Sequence, residues 1–190
     1  MAEGEEIMAI EDIRIETDRL ILRPPNGDDL ESWAAFQADA PTMKFIGGVK
    51  TRAESWRSLC AMVGAWHVRG YAMFSVVLKD SGQWIGRIGP WYPDSWPCTE
   101  VGWAVAPEFA GKGYALEAAV ASMNYAVDEL GWQDICHTIA PDNIASIKLA
   151  ERLGATNRGP TQLPAPFQEA RVDDWGQSRE QWQKNRKQFQ

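Results

Sequence analysis

Apolar positions along this chain recur with two periods, and the two alternate. Helical spacing places Leu30, Trp33, Ala34 and Gln37 on one side of a helix over 28–38. It recurs at Trp56, Leu59, Met62, Val63 and Trp66, behind a capping box of Thr51 and Glu54 and ahead of a stop at Gly70. Leu116, Ala119, Val120, Met123, Val127 and Leu130 form a third stripe, ended by Gly131. Pro141-Asp142-Asn143 opens a fourth helix, Ile144 to Leu153, which Gly154 stops.

Between these lie strand-like runs. Arg19 to Arg23 is closed by Pro24-Pro25. Tyr71 to Lys79 and Gln83 to Trp91 flank the turn Asp80-Ser81-Gly82 and predict an antiparallel hairpin. Cys98 to Val105 and Asp134 to Ala140 follow, with a short strand around Ala170 to Asp173. The stretch from residue 160 to 190 reads as a C-terminal extension: proline-rich at first, then a weakly held basic helix from Arg179 to Phe189. Trp175, Trp182 and Phe189 are seven apart and would share a face of such a helix, covering the core or meeting a second copy of the chain in a homodimer. Residues 1–12 are acidic and read as flexible. The order predicts a single α/β domain, with helices flanking a mixed, mostly antiparallel sheet.

One loop carries chemistry. Ala110-Gly111-Lys112-Gly113-Tyr114-Ala115 joins a predicted strand to a helix N-terminus. Helix N-termini present unpaired N–H groups and a positive dipole end, and both attract anions. Glycines allow close approach, and Lys112 adds charge. The spacing fits neither a Walker A motif nor a dinucleotide fingerprint, so the loop reads as a phosphate or pyrophosphate cradle or as a plain tight turn.

Composition narrows the alternatives. The net charge of −7 argues against nucleic-acid binding and suits a cationic acceptor or mere solubility. No run is long enough to span a membrane, and no signal peptide opens the chain. Cys60, Cys98 and Cys136 are odd in number and lack a CxxC pair, so they read as reduced, mostly buried thiols of a cytoplasmic protein. His67 and His137 are too few and too scattered for a metal site.

The blocks Glu100-Val101-Gly102-Trp103-Ala104-Val105, then Pro107, then Gly111-Lys112-Gly113-Tyr114-Ala115-Leu116-Glu117-Ala118 resemble the acetyl-CoA-binding core of the GNAT superfamily of N-acetyltransferases. Asp142-Asn143-Ile144-Ala145-Ser146 and Glu151-Arg152-Leu153-Gly154-Ala155 are similar to the family's next block. The opening Glu16-Thr17-Asp18-Arg19-Leu20-Ile21-Leu22-Arg23-Pro24 resembles the branch that contains ribosomal-protein N-acetyltransferases.

The resemblance implies how acetyl-CoA would bind. A bulged strand ending near Val105 would splay from a parallel neighbour at Cys136 to Ile139. Pantetheine would lie between them, on Trp103, Ala104 and Val105. The pyrophosphate would rest on Ala110 to Ala115, and Asn143 and Ser146 would bond the arm near the thioester. Many members carry a tyrosine acid seven residues after the Asn; here that position is Ala150, which leaves Ser146 or a water to serve the thiolate.

Acyl transfer needs a neutral amine, and Lys-type amines are protonated near neutrality. Glu100 is the candidate base, with an exposed strand carboxylate or a structural pair as its plain reading. A backbone N–H near Trp103 or Ala104 would meet the oxyanion. His137 is an alternative base or simply a structural histidine, and cysteine nucleophilic catalysis lacks a basic partner in sequence. Trp84, Trp91, Trp96 and Trp103 read as packing residues or as pocket walls, with Trp96 the first choice for the pocket. Two functions follow: an acetyl-CoA-dependent N-acetyltransferase with a small-molecule or peptide amine as acceptor, and a non-catalytic acyl-CoA-binding module.

Overall fold

The computed structural model of the chain describes residues 10–189. The acidic stretch read as flexible lies outside them up to residue 9, and Ile10–Asp12 form a 3-10 turn. Eight strands make one sheet: β1 (Ile15–Glu16), β2 (Leu20–Arg23), β3 (Phe74–Leu78), β4 (Trp84–Trp91), β5 (Glu100–Val105), β6 (Asp134–Ile139), β7 (Thr156–Thr161) and β8 (Val172–Ser178). Their spatial order is β1-β2-β3-β4-β5-β6-β8-β7. Every neighbouring pair is antiparallel except β5 and β6. The helices are α1 (Leu30–Ala38), α2 (Ala40–Met43), α3 (Arg52–Arg69), α4 (Tyr114–Asp128), α5 (Ile144–Leu153) and α6 (Arg179–Asn185). None is long and apolar enough to cross a membrane.

The predicted capping box holds α3: the Thr51 hydroxyl accepts from the Glu54 amide, and Gly70 closes the helix at φ 76°. Leu59, Met62 and Trp66 are buried from it, whereas Trp56 is 52% exposed and leaves the predicted stripe. The α4 stripe packs as read, with Ala119, Met123 and Val127 fully buried.

The C-terminal extension is firmly built in. β8 enters the sheet between β6 and β7, neither of its full extent nor β7 itself being expected from the sequence. α6 starts with a capping box of Ser178 and Gln181. Its Trp182 is fully buried and donates to Asn124 Oδ1 at 3.1 Å, while Arg186 pairs with Asp128 at 2.6 Å. The helix is therefore not weakly held. Nor do the three aromatics share its face: Trp175 lies in β8, and only Trp182 and Phe189 meet, with ring centres 6.1 Å apart.

The cysteine reading is overturned. Cys98 and Cys136 form a disulfide, with Cα atoms 6.2 Å apart, and Cys60 is exposed. The parallel pairing of Glu100 with Cys136 brings Cys98, just ahead of β5, alongside β6, which a 38-residue separation hides in the sequence. The compartment reading loses the support of free thiols. Reduction or Cys98→Ser is expected to destabilise the chain by about 4 kcal/mol on a chain-entropy account, roughly 10 °C in melting temperature. Melting curves with and without dithiothreitol measure it; superimposed curves would contradict it.

Candidate active site

Two adjacent strands part at the centre of the sheet. β5 and β6 pair only at Glu100 and Cys136. β5 then follows β4, in unbroken register from Glu100–Trp91 to Val105–Gly86, while β6 is held along its whole length by β8. The bulge expected near Val105 is absent from the β4–β5 register; a register shift sits instead between Val76 and Val77 of β3. The splay arises because each strand is committed to its other neighbour.

Alternation along an antiparallel ladder decides which β5 groups are free. The Ala106 amide donates to the Ile85 carbonyl, so the residues paired in the same way, Ala104, Gly102 and Glu100, turn their amides toward β4. Val101, Trp103 and Val105 turn theirs toward the gap. Accordingly the Val101 carbonyl accepts from His137 Nδ1 across the gap at 2.7 Å. The expectation for Ala104 is corrected here: Trp103 and Val105 offer free backbone groups to a ligand, and Ala104 does not.

The gap opens into a small cavity of about 90 Å³, lined among others by Met73, Arg87, Glu100, His137, Asn143 and Ser146. Glu100 is 7% exposed. Trp96 Nε1 donates to its Oε2 at 2.6 Å, and the Thr138 hydroxyl donates to the same oxygen at 2.9 Å. Burial pushes this carboxyl up to about 7, against the pull of those two hydrogen bonds. The plain reading of Glu100 as an exposed carboxylate does not hold. Trp96 is not among the residues that line the cavity; it reaches the site through Glu100, with its ring 6.2 Å from Trp91 and 6.4 Å from Phe167, whereas Trp103 does line it.

His137 is buried, and its Nε2 has no partner among the described residues. Burial lowers its pKa to about 4, so the ring is neutral and a weak base near pH 7. Trp103 spans the gap, with its ring 4.5 Å from His137 and its Nε1 donating to Ser146 Oγ at 3.2 Å. Ala150, where many family members carry tyrosine, is fully buried in a small cluster with Ile139 and Ala155, and Trp103 packs against that cluster. The indole occupies the neighbourhood that a larger residue at 150 would claim. Asn143 caps α5 by accepting the Ser146 amide at 3.3 Å, which leaves its NH₂ group available to the cavity.

The glycine loop lies beyond the far end of β5. A 3-10 turn, Pro107–Phe109, leads through Ala110 to Gly111 at φ 73° and Gly113 at φ 85°, which is the N-cap of α4. No side chain caps this helix. Its first intrahelical bond is donated by Glu117, so the amides of Tyr114, Ala115 and Leu116 have no partner within the helix. Ala110 to Gly113 are exposed. An anion would meet open amides, the positive helix end and Lys112 together. Loop and helix are tied to β2 by a residue that sequence reasoning passed over. Arg19 donates to the Lys112 carbonyl at 3.1 Å, pairs with Glu117 at 2.6 Å and lies 4.4 Å from the centre of the Tyr114 ring.

Arg87 was also missed. On β4 it faces the cavity from the same side of the sheet as Glu100, because Arg87 pairs with Ala104 and side chains alternate. A lone Arg in a strand reads as surface, and nothing in its sequence neighbourhood signals otherwise. A wider groove, about 1050 Å³, runs between the chain near residues 12–19 and the outer face of α4, away from Glu100 and the splayed strands.

Comparison with known proteins gives a consistent result. The model of the acetyltransferase (GNAT) domain matches residues 19–156. The chain is 30% identical over 148 residues, covering 77% of it and 85% of the relative, to the uncharacterized N-acetyltransferase YnaD of Bacillus subtilis (strain 168). An acetyltransferase structure from Agrobacterium tumefaciens str. C58 superposes with a TM-score of 0.78 at 28% identity, covering 92% of this chain and 99% of that one. At 18% identity, the ribosomal-protein-S5-alanine acetyltransferase from Vibrio fischeri shares the fold, with a TM-score of 0.68 over 90% of this chain and 99% of that one.

Proposed function

Because the chain belongs to the GNAT acetyltransferase family, we propose that it transfers an acetyl group from acetyl-CoA directly to a primary amine, with Glu100 as general base. Acetyl-CoA supplies the activated acetyl thioester. The observation that carries the reading is a buried carboxyl at the mouth of the β5–β6 splay, held by Trp96 and Thr138 and tuned to about 7. A base of that strength takes a proton from an incoming ammonium near neutrality without holding it too tightly.

The remaining parts fit the donor. Backbone groups of Trp103 and Val105 face the gap where an extended arm would add as a strand. Uncapped amides at Tyr114 to Leu116 suit its pyrophosphate. The Ser146 hydroxyl accepts from Trp103, which leaves its own proton free to point at a departing thiolate. Ser146 would thereby fill the role that Ala150 cannot. The amide of Trp103 is the donor for charge that develops on the carbonyl oxygen. Ala150 also motivates a second reading, an acyl-CoA-binding module without turnover. An acceptor of the ribosomal-protein kind rests on the resemblance of residues 16–24 and on fold neighbours at 19% and 18% identity.

Calorimetric titration with acetyl-CoA, with ATP and NAD as controls, followed by amine-dependent CoA release on a broad amine panel, tests the proposal. Binding with turnover supports it, binding without turnover favours the module, and no binding by folded protein overturns both. Within this reading Arg19 is a positioning residue. Arg19→Met is expected to weaken acetyl-CoA binding several-fold, on the order of 1 kcal/mol for a half-exposed ion pair, and to leave kcat unchanged at saturation. An unchanged Kd would show that the loop holds its shape without this tie.

A further inference from the structure

The structure gives the cavity a cation that the chemistry above does not use. Arg87 extends from β4 into the space lined by Glu100, Gly102 and Met73. Its Nε is buried and has no partner. Among the described residues no hydrogen bond or ion pair holds its guanidinium; its one close polar-type contact is the Trp33 ring, 5.6 Å away.

The carboxylate nearest by register is already saturated. Ser75 sits opposite Arg87 on β3, and its hydroxyl donates to Asp29 at 2.7 Å. Asp29 also receives both terminal nitrogens of Arg23, at 2.9 and 2.6 Å, and the Asn26 amide at 3.0 Å. Glu100 lies four residues along β5 from Ala104, the direct partner of Arg87, and forms no ion pair with it among the described residues. Its Oε2 accepts from both Trp96 and Thr138, and its Oε1 has only a 3.4 Å contact from the Thr138 amide, which leaves Oε1 open to an incoming amine.

Arg87 is half-buried, and a guanidinium whose Nε is buried without a partner is costly to hold there, with no structural gain that an apolar side chain would not give. Arg presents a fixed fork that matches a carboxylate through two parallel hydrogen bonds. The fork and the base share one face of the sheet, opposite to α4. The walls beside them, Phe45, Ile46 and Met73, are apolar, and the space is about 90 Å³, roughly three water volumes.

We propose that the acceptor is a small amine carrying a carboxylate, of the α-amino acid type with an apolar side chain, whose carboxylate is held by Arg87 while its amine faces Glu100. Burial lowers the Arg87 pKa only to about 10, so the group stays cationic at neutral pH. The acidity of the protein surface therefore does not set the charge of the acceptor; the cavity does. The proposal rests on the acetyltransferase reading above.

The test compares matched acceptors. Glycine, L-alanine, L-leucine and L-methionine are each assayed for acetyl-CoA-dependent CoA release beside their own primary amides, together with a dipeptide amide. Wild-type enzyme is expected to favour at least one free acid over its amide about 10- to 100-fold in kcat/KM, the worth of hydrogen bonds to a charged group. That preference runs against intrinsic reactivity, since the amide has the less basic amine. Arg87→Met is expected to erase the preference through KM for the acid, leaving acetyl-CoA affinity unchanged, and Arg87→Lys to keep part of it. Amides or the dipeptide amide used as well as the acids would overturn the carboxylate proposal while leaving the acetyltransferase standing. So would acetyl-CoA binding with turnover of none of the acids. No acetyl-CoA binding by folded wild-type protein would instead remove the reading beneath it. The wild-type comparison alone decides, even if Arg87→Met fails to fold.

Discussion

Glu100→Gln is expected to lose roughly 10²- to 10⁴-fold in kcat, keep its affinity for acetyl-CoA, and melt at a higher temperature than wild type at pH 8. The loss of rate follows from removing the only carboxylate among the residues lining the splay. The gain in stability follows from the same burial that tunes the base. Folded Glu100 has its pKa raised from 4.5 to about 7, so the folded chain holds a proton that the unfolded chain releases between those values. The sign is that of a raised pKa: the contribution is fully favourable below pH 4.5 and is lost as pH rises through 7. At pH 8 the ionised, buried carboxylate costs the fold on the order of 3 kcal/mol, and a neutral amide does not. Gln still accepts from Trp96 and Thr138 through its carbonyl, although its NH₂ would face the Thr138 amide, a weak 3.4 Å contact to the carboxylate in the native protein. Melting curves at pH 8 and pH 5 should therefore diverge at the first and converge at the second. The wild-type acidic limb of kcat/KM should fall near pH 7. Trp96→Phe removes a hydrogen bond that favours the carboxylate and should move that limb to higher pH. A variant that keeps wild-type kcat, or a limb that stays in place in Trp96→Phe, would remove Glu100 from the role of base.

The elements that the sequence revealed are those whose signal is local. α4 has a clean apolar stripe and a glycine at each end. The α3 capping box lies within four residues. The elements it concealed depend on distant partners. β7 reads Thr-Asn-Arg-Gly-Pro-Thr, an exposed, polar edge strand with no alternation, and it is a strand because β8 lies beside it. β8 itself carries two aspartates and a glycine, and its place between β6 and β7 comes from topology. The disulfide needs the parallel contact of β5 with β6. Trp56 keeps helical spacing with its buried neighbours yet stays half exposed, because the helix outruns the surface that covers it. The site divides in the same way. The glycine loop and Glu100 are legible as motif residues, whereas Thr138, Arg19 and Arg87 matter only through the strands and helices that fold against them. The gap between β5 and β6 was legible through a family resemblance, and its cause was not: no bulge marks it, only strands committed elsewhere.

The loop offers the other large effect. Gly111→Val with Gly113→Val is expected to raise the Kd for acetyl-CoA roughly a hundredfold or more. Both glycines have positive φ, 73° and 85°, where a β-branched residue is an outlier and the cost is about 1–2 kcal/mol or more at each. At Gly111 an added side chain meets nothing within 4 Å, so the effect there is backbone strain alone. At Gly113 an added Cβ would approach Arg19 Nη2 at 3.3 Å and press on the tie between β2 and the loop. The loop is exposed, so it is expected to relax away from this geometry with little change in melting temperature. Relaxation turns the amides of Tyr114 to Leu116 away from a common point, and an anion then loses several donors together. Gly131→Val supplies the control. It imposes the same strain at φ 68°, also with nothing within 4 Å, at the opposite end of α4. Calorimetry on both proteins separates the cases. A Kd raised in the loop variant and unchanged in Gly131→Val assigns the pyrophosphate to the α4 N-terminus. Unchanged Kd in both would reduce Gly111-Lys112-Gly113 to a tight turn.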